Sequence, residues 1–488
     1  MQSELFKQLP KPWQPHAYQK KAAKFLLEHA GSALFLDPGL GKTSITLAVI
    51  KLLKKKKLIN KVLLIAPLRV CYNVWPKEVE KWSDFNGLRV QVLHGPHKDE
   101  ALKTDADIYV INPEGLDWLL QVTKIKSPST GKTKVHVDVR RFKALGFDTL
   151  IIDELSKFKH TSTNRFKALK LVLNTFARRH GLTGSPTPNG LEDLFGQCYI
   201  LDQGRTLGQY ISNYRARYFQ QTYDGFGWEV REGAEDEIYE RLSPLVLRMA
   251  ADDYLEMPTL IENNIMVDLP PSVMAMYDKL EQDLIAKLDG KTIVAATAAA
   301  ASIKCRQVAS GGIYIDPEVQ ALIKLPKSNR EWVNLHTTKV DALEDLVDEL
   351  QGSPLLVAYD FGHDLDRLRA KFPNAVYACD YNMAKFSEVE DRWNRGEIPL
   401  LFGHPQSVGH GLNLQEAGNH VCWHSMTWDY ELYDQFIRRI LRQGNKSKKV
   451  FVHHIMARGT IDETMLYVLK SKRKGQNALF DALKKMRK

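Results

Sequence analysis

Short apolar runs alternate with amphipathic stretches along the first part of the chain. The runs include SALFL at 32–36, KVLLIAP at 61–67, DIYVINP at 107–113 and FDTLIIDE at 147–154. Apolar runs of this length, bounded by polar turns, predict buried strands of a parallel sheet. The stretch KTSITLAVIKLLKKK at 42–56 lies between two of them and has helical periodicity. This half of the chain therefore predicts a doubly wound α/β lobe.

A second set of strand-like runs begins near residue 354. It consists of PLLVAYD, AVYACD, IPLLFGHP, NHVCWHS and KKVFVHHIM, which are separated by helix-like sequence. A chain of 488 residues also exceeds the size at which one hydrophobic core keeps growing. We therefore predict an α/β fold with two doubly wound parallel-sheet lobes, residues 1–258 and 259–488.

Three segments are predicted to be insertions into these lobes. Helical periodicity predicts helical insertions at about 190–245 in the first lobe and about 272–335 in the second. Residues 121–143 combine a Ser-Pro-Gly turn with alternating Val and polar residues, which predicts an inserted hairpin. Its Lys and Arg side chains could contact a partner, and a solvated surface hairpin is the alternative.

Composition limits the classes of protein to which the chain can belong. No window approaches the roughly 20 apolar residues of a membrane span, and the first residues lack the features of a secretory signal. We expect a cytoplasmic protein with no membrane partner. The five cysteines are odd in number and include no C-x-x-C pair, so reduced, mostly buried thiols are expected rather than disulfides or a zinc site.

Positive charge is concentrated at the C-terminal end. The formal net charge is +10, and residues 437–488 contain fifteen Lys or Arg against three acidic residues. Such a segment favours a polyanionic partner, because contacts with phosphates release bound counterions. A solvated helical face with a basic end is the alternative.

The segment D-P-G-L-G-K-T at 37–43 follows a strand-like run and precedes a helical stretch. Glycines at such a turn let backbone N–H groups approach phosphate oxygens, and the helix N-terminus adds a positive field. Lys42 is then expected to reach the β and γ phosphates, and Thr43 to ligate Mg²⁺. The longer eight-residue pattern is not met, because Leu36 stands at its first position. The predicted ATP-binding residues of this loop are Gly39, Leu40, Gly41, Lys42, Thr43 and Ser44.

Two adjacent carboxylates end the apolar run at 147–154. In a nucleotide site, Asp153 would hold Mg²⁺ through water and Glu154 would polarise the attacking water. A carboxylate pair after a strand is also typical of a helix N-terminus. Together with the phosphate loop, the pair predicts hydrolysis of ATP with Mg²⁺ as the metal.

Several further motifs in the first lobe follow one another in order. They are P-H-A-Y-Q-K-K-A-A-K-F-L (15–26), I-A-P-L-R-V (65–70), W-P-K-E-V-E-K-W (75–82), D-E-L-S-K-F-K-H (153–160), L-T-G-S-P-T-P-N-G-L-E-D-L-F (182–195) and L-V-L-R-M-A-A-D-D-Y-L-E-M-P (245–258). This series resembles the Swi/Snf-type translocases of helicase superfamily two. The resemblance implies that Gln19 reads adenine, that Arg69 contacts DNA, and that the coupling residues are Thr183, Gly184 and Ser185.

Three motifs in the second lobe continue the resemblance. They are V-A-Y-D-F-G-H-D-L-D-R-L (357–368), S-V-G-H-G-L-N-L (407–414) and Q-F-I-R-R-I-L-R-Q-G (435–444). In the last, Arg439 and Arg442 are three apart, so we expect them to share a helix face and point at one nucleotide. The resemblance favours Arg442 as an arginine finger, with Arg439 as the next candidate for that role. It also implies ATP contacts for Gly411 and Gln435 and DNA contacts for Gly409, Asn413 and Trp428.

The sequence departs from the family pattern in places. Ser156 stands where the family usually has His, so we expect a hydroxyl to link the nucleotide to the coupling motif. Val408 and His410 interrupt a stretch that is usually rich in glycine and apolar residues. Core packing is the alternative to a stacking role for Trp428.

The resemblance implies two RecA-like lobes that close on Mg-ATP and an ATP hydrolase that moves along double-stranded DNA. Without recognisable accessory domains, the chain resembles a minimal prokaryotic or phage-like member. One alternative is a helicase that separates strands of DNA or RNA, with single-stranded or forked nucleic acid as its track. Another is an ATP-binding clamp without productive hydrolysis, against which the presence of Glu154, Arg439 and Arg442 argues. No particular protein partner is indicated.

Overall fold

The computed structural model describes residues 10–126, 133–222, 227–289, 295–315, 331–408 and 412–485. The chain divides into two compact units: Met1–Leu255 with Lys474–Lys488, and Glu256–Arg473. No helix among the described residues is both long and apolar enough to span a bilayer. All five cysteines are free thiols, of which Cys379 is exposed and the other four are buried, as predicted.

The strands are numbered in chain order. They are β1 (Gly31–Leu36), β2 (Lys61–Ile65), β3 (Val90–Val92), β4 (Ile108–Ile111), β5 (Thr123–Lys126), β6 (Thr133–His136), β7 (Phe147–Asp153), β8 (Arg178–Thr183), β9 (Phe219–Gln221), β10 (Trp228–Val230), β11 (Val246–Met249), β12 (Thr259–Val267), β13 (Gly312–Tyr314), β14 (Trp332–Asn334), β15 (Leu355–Ala358), β16 (Val376–Tyr377), β17 (Leu400–Gly403), β18 (His420–Trp423) and β19 (Lys449–Ala457).

The α-helices are numbered in the same way. They are α1 (Ala17–Glu28), α2 (Lys42–Lys55), α3 (Leu68–Asn73), α4 (Trp75–Lys81), α5 (Lys98–Lys103), α6 (Leu116–Leu119), α7 (Val139–Ala144), α8 (Asn164–Val172), α9 (Leu194–Asp202), α10 (Ile211–Tyr218), α11 (Ala234–Leu242), α12 (Pro271–Asp289), α13 (Ala295–Ser310), α14 (Thr338–Glu349), α15 (Gly362–Lys371), α16 (Met383–Asn394), α17 (Pro405–Val408), α18 (Tyr430–Ile437) and α19 (Ile461–Lys485).

The first unit contains a seven-stranded sheet in the order β11-β1-β8-β7-β2-β4-β3. Every neighbouring pair in it is parallel. Parallel neighbours need crossover connections, which the intervening helices provide. The predicted doubly wound α/β architecture is therefore confirmed for this unit, and the four predicted apolar runs form β1, β2, β4 and β7.

Strand β8 has a polar sequence, RRHGLT, that does not predict a strand, yet it lies between β1 and β7. Its polar side chains have partners inside the unit. The guanidinium of Arg179 donates to the carbonyls of Leu201, Leu173 and Phe176, and buried His180 shares a 2.9 Å hydrogen bond with Ser32. These bonds offset the cost of burying polar groups, which hydrophobic patterning alone does not reveal.

The second unit contains a six-stranded parallel sheet in the order β12-β19-β18-β15-β17-β16. The five predicted runs form β15 to β19. The sixth strand, β12, pairs with β19 along its whole length, from Thr259 opposite Lys449 to Val267 opposite Ala457. Both units thus have the predicted α/β architecture.

The insertions contain strands as well as helices. Strands β5 and β6 pair antiparallel within the segment predicted as a hairpin, with Thr123 opposite His136, and residues 127–132 lie outside the described part. The regions predicted as helical insertions also contain the antiparallel pairs β9–β10 and β13–β14. Each of these strands has only three residues, so periodicity gives little signal for them.

A buried carboxylate, Asp364 on α15, organises the centre of the second unit. It accepts hydrogen bonds from the hydroxyls of Ser310 at 2.7 Å and Ser425 at 2.6 Å and from Arg367 Nη2 at 2.7 Å. Burial alone would raise the pKa of Asp364. Its contacts with His363 and Arg367 outweigh burial and hold the pKa well below its usual range. Asp364 is therefore ionised at neutral pH in the folded unit.

Replacing this carboxylate should destabilise the second unit. Asp364→Asn leaves Arg367 buried without its counter-charge, so we expect a loss of about 3 kcal/mol in the local free energy of unfolding. Hydrogen exchange of the amides of β15 and β18, measured by mass spectrometry, should become roughly a hundredfold faster. Asp380→Asn, which removes an exposed partner of Arg369 in the same unit, is the control and should change exchange little.

The stabilisation also has a defined pH dependence. Because the folded pKa of Asp364 is depressed, its contribution is fully present above the unfolded carboxyl pKa of about 3.9 and is lost as pH falls through the folded pKa. The difference between wild type and Asp364→Asn should therefore be constant from pH 7 to pH 5 and shrink in stronger acid. An equal exchange rate in both proteins at pH 7 would contradict the structural role.

Candidate active site

The phosphate loop predicted at 37–43 connects β1 to α2. Gly39 and Gly41 have φ values of 92° and 78°, a left-handed backbone that residues with a Cβ rarely adopt. Helix α2 begins at Lys42, so the N–H groups of the loop and the helix N-terminus lie together. This is an arrangement with which proteins bind phosphate.

Lys42 and Gln19 both contact the backbone of this loop region. Lys42 Nζ donates to the carbonyl of Leu36 at 2.8 Å, and Gln19 Nε2 donates to the carbonyl of Leu40 at 3.3 Å. Gln19 is buried, and a Cβ on Gly41 would lie 2.5 Å from its Nε2. The structure therefore places Gln19 against the phosphate loop, while its contact with adenine stays a prediction.

A buried ion pair fixes the start of the loop. Asp37 lies 2.8 Å from Arg248 on β11, and its carboxylate also accepts the N–H of Ala251 at 2.9 Å. Arg248 donates in addition to the carbonyls of Phe35 and Met249. The sequence does not single out Arg248, and the only local signal is a charged residue in the apolar strand VLRM. The pair ties the phosphate loop to the neighbouring strand.

The two predicted carboxylates lie at the end of β7, two strands from the phosphate loop. Asp153 accepts a hydrogen bond from the indole N–H of Trp75 at 3.0 Å. Burial and the charge of Glu154 raise the pKa of Asp153 to about 6, whereas Lys42 and Trp75 act in the opposite direction. A cation at this position would favour the ionised form further.

Glu154 has a left-handed backbone, with φ of 70° and ψ of 63°. This conformation is uncommon for residues other than glycine and is often retained at functional sites. Its Oε1 accepts hydrogen bonds from Thr183 Oγ1 at 2.8 Å and from Ser156 Oγ at 3.1 Å. Two hydroxyls therefore hold the carboxylate, and Thr183 belongs to the predicted coupling motif.

The coupling motif begins at Thr183, the last residue of β8, and lies between the phosphate loop and Glu154. The hydroxyl of Thr183 also accepts the N–H of Ser185 at 3.1 Å. A Cβ added to Gly184 would lie 3.3 Å from Pro38 Cδ and 3.5 Å from the carbonyl of Leu36. The motif thus contacts both the loop that is predicted to bind phosphate and the carboxylate that is predicted to activate water.

The residues at this site fit a magnesium ion bound together with a nucleotide. No group of three or more His, Cys, Asp or Glu side chains is arranged as a metal site in the described part of the chain. Mg²⁺ in phosphate-transfer sites usually takes only one or two protein oxygens, and phosphates and water complete its octahedron. Thr43 at the start of α2 and Asp153 at the end of β7 provide such a sparse donor set. The neighbouring Ser44 instead donates to Glu78 at 2.9 Å.

The expectation that Arg439 and Arg442 share a helix face is wrong. Helix α18 ends at Ile437, and the next residues form turns with shorter-range bonds, such as Arg439 N–H to the carbonyl of Phe436. The carbonyl of Gln435, which the N–H of Arg439 would use in a continuing helix, instead accepts Arg439 Nε at 2.9 Å. The two arginines therefore extend from turns.

Both arginines nevertheless converge on one carbonyl. Arg439 Nη1 and Arg442 Nη1 each donate to the carbonyl of Leu412 at 3.2 Å, and Arg442 also donates to Asn413 Oδ1 at 2.6 Å. Burial lowers the pKa of Arg442 to about 10, which leaves it charged at neutral pH. Its Nε finds no hydrogen-bond acceptor among the described residues. Gln435 donates to Glu431 at 3.1 Å.

The remaining predicted site residues lie in varied surroundings. Trp428 is half-buried, and its indole N–H donates to Ser302 at 2.9 Å, which favours its packing role over a stacking platform. Arg69 is a half-buried residue of α3. Gly409 and Gly411, predicted for DNA and ATP respectively, lie outside the described residues.

Comparison with known proteins gives consistent matches. The family model for the SNF2-related domain matches residues 18–309. Protein p41 of Acyrthosiphon pisum secondary endosymbiont phage 1 is 36% identical over 97% of this chain and 100% of its own length. An uncharacterized ATP-dependent helicase, MG018 of Mycoplasma genitalium, is 24% identical over 93% of this chain and 41% of its own length. The CHD3-type chromatin-remodeling factor PICKLE of Arabidopsis thaliana is 24% identical over 94% of this chain and 34% of its own length.

The chain thus spans the whole length of the phage relative and less than half of the two longer proteins. Among solved structures, the Sulfolobus solfataricus SWI2/SNF2 ATPase core in complex with dsDNA is 22% identical. The match covers 96% of this chain and 94% of that chain, with a TM-score of 0.41.

The hydrogen bond between Thr183 and Glu154 can be tested by an isosteric substitution. Thr183→Val removes one of two hydroxyl donors to a charged carboxylate, which typically costs about 1.5 kcal/mol. We therefore expect the rate of ATP hydrolysis to fall about tenfold, with little change in ATP affinity measured by fluorescent nucleotide binding. Thr187→Val is the matched control, because the Thr187 hydroxyl is buried and has no hydrogen-bond partner among the described residues. Equal losses in both variants would contradict the role of Thr183.

Proposed function

The chain belongs to the SNF2-related family of ATP-dependent helicase-like enzymes, and we propose that it uses ATP hydrolysis to move along double-stranded DNA. The observation that carries the hydrolytic part of the proposal is the meeting of three motifs at one edge of the first sheet, and the choice of duplex DNA as the track rests on the family resemblance. The phosphate loop follows β1, the coupling motif begins at the last residue of β8, and the carboxylate pair lies at the end of β7. In the sheet, β8 lies between β1 and β7. Ligands of open α/β sheets bind at the carboxyl ends of such strands.

The first unit holds the nucleotide. Backbone N–H groups of residues 39–43 and the N-terminus of α2 bind the phosphates, and Lys42 exchanges the Leu36 carbonyl for a phosphate oxygen. Thr43, and Asp153 through water, would hold Mg²⁺, which would neutralise charge on the phosphates. Gln19, already against the loop, binds the adenine. Gln19 and Lys42 both have contacts with the loop region, and the role of Thr43 rests on its position at the start of α2 and on the sequence motif.

Glu154 orients and polarises the attacking water. Thr183 and Ser156 both donate to Oε1 of its carboxylate. These two hydrogen bonds fix the orientation of the carboxylate and therefore the direction of its other oxygen, Oε2. When the γ-phosphate is released, a shift of Glu154 passes directly to Thr183 and from there to Ser185. We assign coupling between hydrolysis and motion to this chain of bonds.

Arg442 and Arg439 supply positive charge to the transferring phosphoryl group. Their shared acceptor, the carbonyl of Leu412, is neutral, so an anionic phosphate is a stronger partner for either guanidinium. Arg442 is the preferred arginine finger, because its Nε has no acceptor among the described residues and the family resemblance points to the same position. Arginine fingers act by stabilising charge in the transition state.

Phosphate contacts are suited to movement along DNA of any sequence. Arg69, Gly409 and Asn413 are the proposed contacts within the motifs, with the basic C-terminal segment as a further source of charge. Part of that segment's charge is used internally, because Lys470 and Arg473 both pair with Glu262. The main DNA contacts are therefore assigned to the motif residues, and the remaining basic residues of the C-terminal segment are assigned a secondary contribution.

Removal of the Glu154 charge tests the hydrolytic assignment. Glu154→Gln keeps the size of the side chain and removes the base that polarises water, so we expect hydrolysis to fall by about 10²- to 10⁴-fold. ATP binding, measured with a fluorescent nucleotide, should change little. Glu192→Gln is the control, because Glu192 pairs with Arg215 in the same unit and is not one of the predicted site residues. Wild-type turnover in Glu154→Gln would exclude the assigned role.

The track is tested by the stimulation of ATP hydrolysis at fixed salt. Duplex DNA should accelerate hydrolysis more than single-stranded DNA, forked DNA or RNA of equal nucleotide concentration. The salt concentration must be held constant, because affinity for any polyanion depends steeply on it. Stronger stimulation by single strands or by RNA would favour a strand-separating helicase instead.

A further inference from the structure

Helix α4 connects the DNA-contact motif to the catalytic carboxylates within the first unit. It follows α3, which contains Arg69, and Val74 is the single residue between the two helices. Val74 itself has helical dihedral angles, and the Glu78 N–H donates to its carbonyl at 2.9 Å. No flexible loop therefore separates the two helices, and a displacement of α3 is transmitted to α4.

The inner face of α4 contacts two catalytic elements. Trp75 is fully buried, with 0% of its surface exposed, and its indole N–H donates to Asp153 Oδ2 at 3.0 Å. Glu78, one helical turn further on, accepts the hydroxyl of Ser44 on α2 at 2.9 Å. Residues three apart lie on one face of a helix. One short helix thus contacts both the carboxylate assigned to Mg²⁺ and the helix that begins at the phosphate loop.

A second tryptophan, at the C-terminal end of α4, also contacts Glu78. Trp82, directly after α4, donates its indole N–H to the same Oε1 of Glu78 at 2.7 Å. Glu78 therefore receives two donors, one from α2 and one from the end of α4. A carboxylate with two hydrogen bonds of this length has little freedom to move alone, so α2 and α4 shift together.

We propose that Trp75 and Glu78 are positioning residues that transmit DNA binding at α3 to Asp153 and to α2. The inference rests on the proposed function, because it takes Arg69 as a DNA contact and duplex DNA as the track. When a phosphate of the backbone engages α3, α4 shifts with it, and the indole of Trp75 moves the carboxylate of Asp153 into its catalytic position. This route to the site is separate from the one through Thr183, which acts on Glu154.

The test compares hydrolysis by the full chain with and without saturating duplex DNA, at saturating ATP and Mg²⁺. The readout is the stimulation ratio, the DNA-saturated rate divided by the DNA-free rate. Trp75→Phe keeps a buried ring and removes the N–H donor. We expect its stimulation ratio to fall roughly fivefold or more, a size typical of coupling through packed networks. Its affinity for duplex DNA without nucleotide should stay within about twofold of wild type.

Trp118→Phe is the matched control. The indole of Trp118 also donates to a carboxylate, Asp99 Oδ1 at 3.2 Å, in the same unit, but neither residue belongs to the predicted site. Its stimulation ratio should equal that of the wild type. Glu78→Ala tests the second contact independently and should also lower the ratio. A wild-type ratio in Glu78→Ala would overturn the role of Glu78.

The outcomes separate this inference from the proposed function. If duplex DNA stimulates the wild type and Trp75→Phe keeps the wild-type ratio, Trp75 transmits nothing and the inference is overturned. The inference is also overturned if the substitution lowers the DNA-saturated and the DNA-free rates by the same factor. Trp75 would then hold Asp153 in place whether or not DNA is bound. If duplex DNA does not stimulate the wild type at all, the proposed track is wrong and the inference falls with it.

Discussion

Hydrogen bonding between the parallel strands β1, β8 and β7 is the constraint on which the site depends. The register pairs Phe35 with Thr183 and Asp153 with Leu182, so the three strands end at one edge of the sheet. A slip of one residue would turn each side chain to the opposite face. The phosphate loop, the coupling motif and the carboxylates therefore keep their relative positions through backbone bonds, and the reactive side chains need not hold the site together.

Buried polar groups set the fine geometry around this frame. Asp37 is paired with Arg248, Asp153 with the indole of Trp75 and Glu154 with two hydroxyls. A buried carboxylate without partners is costly, so each of these contacts restricts where the acid can lie. The same principle applies to Asp364 in the second unit. Each of these carboxylates has at least one donor from a distant part of the chain, and Ser156 and Arg367 add donors from nearby positions.

Local signals explain what the sequence could predict, and distant contacts explain what it could not. The phosphate loop and the Asp153–Glu154 pair are contiguous motifs whose residue types define their chemistry, and the apolar runs identify most strands. The polar strand β8 is invisible to patterning because carbonyls elsewhere satisfy Arg179. Arg248 can pair with Asp37 only because β11 lies beside β1, and the sequence alone does not reveal this strand pairing. Helix α18 ends at Ile437, and the Arg439 side chain takes the carbonyl of Gln435 that the next helical bond would use, which spacing within the motif does not encode.

The distribution of thiols gives this protein a practical property. Of the five cysteines, only Cys379 is exposed, and burial raises the pKa of Cys71 to about 12 and that of Cys305 to about 11. Thiol reagents react with the thiolate, so the buried cysteines react slowly in the folded protein. A maleimide dye would therefore attach at one position in the native chain. The wild-type sequence can therefore be labelled for single-molecule fluorescence without removal of any cysteine.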